Sequence, residues 1–167
     1  FMINKKNTVV VRYVSFDQSR LFTPNIKLIL RPLISMREHG TIEPRIKKNF
    51  DLSSFAKCVK ILRKNTDIPS LKIYTNAEFV NYPDWYYNFN YSIEKERGLP
   101  LSEDLFCPGY FIINLIPNQT TDIIFTIEDE KPTNSEVYYI KEQQIKNSIL
   151  NIPVKNKIPN SDINFIN

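Results

Sequence analysis

The chain has 167 residues, 42% of them hydrophobic, which is enough for one domain with a sizeable core. Its 22 Lys and Arg against 18 Asp and Glu leave a net charge of +4, with the basic residues scattered, so composition argues against a nucleic-acid partner. A single histidine, His39, and two separated cysteines, Cys58 and Cys107, supply no metal-ligand series; free thiols and no cofactor are expected.

The opening stretch FMINKKNTVVVRY lacks the long apolar core of a secretory signal, and no apolar run is long enough to cross a bilayer. A cytoplasmic protein with no membrane partner is expected. The β-branched run Thr8 to Tyr13 reads as a first strand, and Ile26 to Arg31 as a second that ends at Pro32. In LRPLISMREHG, Arg31, Arg37, Glu38 and His39 then fall in one loop. Such a set can bind sugar hydroxyls, or it can form a buried polar network that ties the loop to a sheet. No orienting partner for His39 is evident, which leaves a Ser35–His39 pair without a triad.

The segment DLSSFAKCVKILRK carries two periodicities. Leu52, Phe55, Val59 and Leu62 suit a helical stripe, while Val59 and Ile61 suit a strand. Strand is preferred, because Asn65 to Pro69 can then turn it into Leu71 to Thr75 as a hairpin.

The densest chemistry lies between Trp85 and Phe111, WYYNFNYSIEKERGLPLSEDLFCPGYF. Alternation predicts Trp85, Tyr87, Phe89 and Tyr91 on one strand face, with Tyr86, Asn88 and Asn90 on the other. An aromatic face with nearby amides suits a pyranose ring; it also suits a sandwich core. Glu94 and Glu96 are expected on the same strand, interleaved with Lys95 and Arg97. With Glu103 and Asp104 they make four carboxylates, but glycoside hydrolysis needs two that oppose one another across a bond, and neighbours on one face do not.

Gly98 is expected to end the strand, Pro100 to stiffen a loop, Asp104 to accept backbone bonds in an Asx turn, and Cys107-Pro108-Gly109 to turn the chain into a strand from Tyr110. Arg97 and Glu103 remain open as partners across an interface. Only three glycines occur in the chain, so each implies a backbone requirement and most turns fall to Asn, Asp and Pro. Asp122 to Ile127 reads as a further strand. Thr133 and Glu136 then form a capping box for a helix to Leu150, with Val137, Ile140, Ile145 and Ile149 near one face, before a Pro- and Asn-rich tail. The short β-rich segments without crossover helices predict a mainly β, antiparallel β-sandwich over residues 1–132, a helix over 133–150 and a tail over 151–167.

The stretches FMINKKNTVVVRY, LRPLISMREH and, above all, Trp85 to Phe111 resemble the amino-terminal domain of bacterial and archaeal glycogen debranching enzymes, from Phe1 to about Ile127. The resemblance implies a β-supersandwich of the galactose-mutarotase type, partial here because the match starts inside the domain. It also implies an (α/α)6-barrel catalytic domain elsewhere that hydrolyses α-1,6 branches and holds the catalytic acids. On that basis Arg37, His39, Trp85, Tyr86, Tyr87, Arg97, Glu103 and Asp104 are candidates for carbohydrate or interdomain contact, and none is assigned as catalytic. The partners implied are an α-glucan such as glycogen or a maltooligosaccharide, the catalytic barrel and, through an uncovered sheet edge, a second copy of the chain. The alternatives are a purely structural scaffold, or a stand-alone hydrolase using Glu94, Glu96, Glu103 or Asp104.

Overall fold

Most clusters of β-branched and aromatic residues form strands, while Val137 to Ile140 lie in a helix. The computed structural model describes residues 1–2, 6–16, 26–38, 41, 49–98, 102–132 and 135–150. The chain divides into two compact units, Phe1–Pro132 and Thr133–Asn167. Strands β1 (Thr8–Val14), β2 (Lys27–Leu30), β3 (Phe50–Phe55), β4 (Cys58–Arg63), β5 (Leu71–Thr75), β6 (Glu78–Asn90), β7 (Ser102–Asn114) and β8 (Thr120–Thr126) all belong to the first unit.

One sheet has the order β1-β8-β5-β4-β3 and the other β2-β7-β6, every pairing antiparallel. The fold is therefore mainly β, in two antiparallel sheets, consistent with a partial sandwich. Between the sheets lie Val59 and Ile61 from β4, Ile73 from β5 and Ile123 from β8, facing Phe106, Phe111 and Ile113 from β7. Ile61 and Ile73 are fully buried, and burial of an aliphatic side chain of that size contributes roughly 1.5–3 kcal/mol. Ile34 joins this core because its N–H and C=O exchange hydrogen bonds with Phe106, both at 2.9 Å.

The five-stranded sheet is regular. Opposite residues on β1 and β8 complete one another: the hydroxyls of Thr8 and Thr126 are 2.7 Å apart, and Arg12 donates Nε and Nη2 to the two oxygens of Asp122, each at 2.8 Å. The ambiguous segment is indeed strand, but as two strands, β3 and β4. They are joined at Ala56 and Lys57, with Ala56 at φ +51° where a glycine or asparagine is usual. Asn65, Asn88 and Asn118 occupy the left-handed region elsewhere, the role that asparagine takes in a glycine-poor chain.

Several expectations need correction. Ser92–Glu96 is a short helix, α1, so Glu94 and Glu96 do not share a strand face. Gly98 follows that helix at φ +73°, where it ends a helical turn rather than a strand. Cys107-Pro108-Gly109 is no turn: it runs inside β7, which begins at Ser102. In the second unit, helix α2 (Ser135–Leu150) buries none of its residues, and Val137, Ile140, Ile145 and Ile149 are all exposed. At about 100° per residue these four spread over half the helix circumference, so they make no stripe. Thr133 of the expected capping box and the tail 151–167 lie outside the described residues.

Both cysteines are free, Cys107 buried and Cys58 half-buried. Among the described residues, no helix is long and apolar enough to cross a membrane, and no group of three or more His, Cys, Asp or Glu could hold a metal ion.

Candidate functional site

The β6–β7 ribbon gathers most of the singled-out residues, and its register slips twice. Asn81 pairs with Gly109 and Asp84 with Cys107, so Tyr82 and Pro83 oppose the single residue Pro108. Neither proline has an N–H to give the ladder, and the bulge sits where the ladder has none to receive. Gly109 is required beside it. A Cβ at that position, φ +141°, would stand 2.1 Å from the Val80 carbonyl oxygen and 2.8 Å from the Tyr82 nitrogen.

The second slip lies between Tyr86, paired with Leu105, and Phe89, paired with Glu103, so Tyr87 and Asn88 oppose Asp104. Asn88 takes φ +58°, and its N–H donates to Asp104 Oδ1 at 3.1 Å. The Asp104 carboxylate thus replaces a missing ladder acceptor across the ribbon, in place of the expected local Asx turn. The bulge also breaks the strict alternation from Trp85 to Tyr91.

These slips sort the aromatic residues. Trp85 points to the core, its ring centroid 5.4 Å from Phe106 and 5.8 Å from Phe50, which stack on each other at 4.7 Å. Tyr86 is half-buried, whereas Tyr87 is 53% exposed and Tyr82 60% exposed. Tyr82 was not singled out in the sequence; Pro83 in a run otherwise suited to a strand was the available sign of a bulge that turns a side chain outward.

Glu103 is 1% exposed and lies where β7 meets the loop after β2. Arg37 Nε donates to its Oε2 at 3.1 Å, and the Tyr91 hydroxyl reaches the same oxygen at 3.4 Å. Burial raises the Tyr91 phenol above its ordinary pKa; the Glu103 charge and hydrogen bond add to this, and Arg37 opposes it. The loop is further held by Arg63, whose Nη1 donates to the Met36 carbonyl at 2.8 Å. Of the two sequence-based readings of this loop, the polar network tying it to the sheet is the one observed for Arg37. Arg31 lies elsewhere, its guanidinium 4.8 Å from the centre of the Tyr110 ring.

His39 lies outside the described residues, as does the side chain of Glu94. Arg97 and Glu96 are exposed at the end of α1. The structure therefore joins Arg37 with Glu103, sets Asp104 beside Tyr87 and Asn88, and separates Trp85 from the exposed tyrosines.

These features define a β-sandwich module whose smaller sheet carries an irregular, polar and aromatic ribbon. Residues 1–122 match the family model described as glycogen debranching enzyme N terminal, and the chain belongs to that family. No curated protein and no solved structure matches it significantly.

Proposed function

We propose that this chain serves a glycogen debranching enzyme as a non-catalytic β-domain, supporting α-glucan binding and docking to a barrel domain that hydrolyses α-1,6 branches. The observation that carries the reading is the family match over residues 1–122. The exposed rings of Tyr82 and Tyr87 are the sugar-stacking groups, with the Asn88 side chain as an amide close by. Tyr86 and Arg97 remain candidates for the docking side.

The hydrolase alternative loses two of its four acids to structural bonds. Glu103 is buried against Arg37 and Tyr91, and Asp104 accepts from the Asn88 backbone. A general acid must reach the bond it protonates. Purified chain should give no glucose release from branched glucan above background; turnover lost on Glu96→Gln would reinstate the hydrolase.

A purely structural scaffold draws support from Trp85, which packs in the core instead of standing at the surface. Affinity electrophoresis in glycogen-containing gels separates the two readings. Retardation of the wild-type chain, weakened about 3- to 10-fold by Tyr82→Ala or Tyr87→Ala, is expected of glucan contact. Mobility indifferent to glycogen would leave the scaffold.

A further inference from the structure

Three consecutive acids, Glu128, Asp129 and Glu130, follow β8 in a stretch with neither strand nor helix, beyond the residues matched by the family. Runs of this kind are usually solvated. Here each acid has its own partner. Glu128 Oε1 accepts from the Asn7 N–H at 2.7 Å, Asp129 Oδ1 from Lys72 Nζ at 2.8 Å, and Glu130 Oε2 from Lys6 Nζ at 3.2 Å.

Lys72 is the unusual member. It sits on β5, a strand with neighbours on both sides, and its side chain is only 11% exposed. Its direct partner across the β4–β5 ladder is Lys60, a like charge. An ammonium so placed needs compensation. Among the described residues it comes from the exit stretch: Lys72 Nζ donates to the Glu128 carbonyl at 2.8 Å as well as to Asp129. The Asp129 acid is held below the ordinary carboxylate value by the Lys72 hydrogen bond and charge, with a smaller contribution from Lys60. The backbone follows the same path. Ile127 N–H donates to Asn7 O at 3.3 Å, and Glu128 N–H donates to Thr126 Oγ1 at 3.1 Å.

We propose that Glu128–Glu130 is an electrostatic latch, anchored by Lys72, that holds the exit of the sandwich unit against β5 and the start of β1. The last residues of the sandwich unit are then held on its own sheet and do not hang from it as a loose end. The dependence runs both ways, since the latch also neutralises the buried lysine that its own sheet carries. Of its contacts, the Lys6–Glu130 pair is the most exposed and contributes least.

Amide hydrogen exchange of Asn7 and Glu128 in the full 167-residue chain tests this. Lys72→Met keeps the stem and removes the charge; it should quicken both amides about tenfold while the β5–β8 ladder stays protected. Asp129→Asn, at an exposed position, should quicken them about threefold, as should molar salt, and it decides the matter alone if Lys72→Met does not fold. Glu128→Ala should release the Asn7 amide. Exchange at Asn7 and Glu128 that is indifferent to Asp129→Asn and to salt would overturn the latch, as would wild-type residues 128–130 that reorient as freely as a chain end.

Discussion

The two sheets share one core but are held together differently. β1 and β8 run through seven consecutive pairs, Thr8 with Thr126 to Val14 with Thr120, without a slip. β6 and β7 slip twice, at Tyr82-Pro83 and at Tyr87-Asn88. In the regular ladder, opposite residues suffice: a hydroxyl meets a hydroxyl and a guanidinium meets a carboxylate. In the irregular one, a glycine, two prolines, a left-handed asparagine and a carboxylate acting as a backbone acceptor are all needed. The concentration of special residues between Trp85 and Phe111 is thus largely the chemistry of keeping a bulged ribbon in place, and the outward-turned Tyr82 and Tyr87 are what the bulges provide.

The comparison is broken most severely at Gly109. Gly109→Ala puts a methyl group into the Val80 carbonyl and should cost about 4 kcal/mol or prevent folding. Gly98→Ala meets nothing within 4 Å and should cost only about 1 kcal/mol for its positive φ. Urea denaturation followed by circular dichroism distinguishes them; equal losses would contradict the close approach of β6 to β7.

Trp85→Ala should cost about 3 kcal/mol, at the lower end for a large aromatic because Trp85 is only partly buried. Tyr87→Ala should cost less than about 0.5 kcal/mol, as an exposed substitution does. Similar losses for both would mean that the second bulge does not divide them.

Arg37→Ala removes the guanidinium that binds the buried Glu103 carboxylate and should cost about 2 kcal/mol. Tyr91→Phe removes one long hydrogen bond and should cost less than about 1 kcal/mol at neutral pH. Its signature lies at high pH. Because the folded phenol pKa is raised, its contribution is complete below the ordinary tyrosine value of about 10 and is lost as pH climbs through the folded value. The variant should therefore show a shallower loss of stability on the alkaline side; superimposable alkaline limbs would remove Tyr91 from the network. A change of opposite sign belongs to the regular sheet: Ala56→Gly should stabilise the chain by about 0.5 kcal/mol by relieving the left-handed alanine, read as a slightly higher urea midpoint.

Strands whose signal is purely local were legible. Leu71–Thr75 is bounded as its sequence implies, and β1, β2 and β8 fall within two residues of expectation. The β6–β7 ribbon was not, because Pro83, Pro108 and Gly109 are turn residues by local rules and become bulge residues only when a partner strand lies alongside. Ala56-Lys57 was missed for the converse reason: it turns the chain without a turn residue. At the site, Arg37 and Glu103 were each singled out, but they meet across a separation of 66 residues, and spacing along a chain holds no trace of such a pair. The family resemblance carried more of the function than any motif did.

The most direct test of a working surface on the bulged sheet is a map of amide shifts as maltooligosaccharide is titrated into the isotopically labelled chain. The account predicts that the shifts gather at Tyr82, Tyr87, Asn88 and the facing residues of β7, while the β1–β8 ladder stays silent. Shifts centred on β1 and β8, or none at saturating glucan, would contradict it.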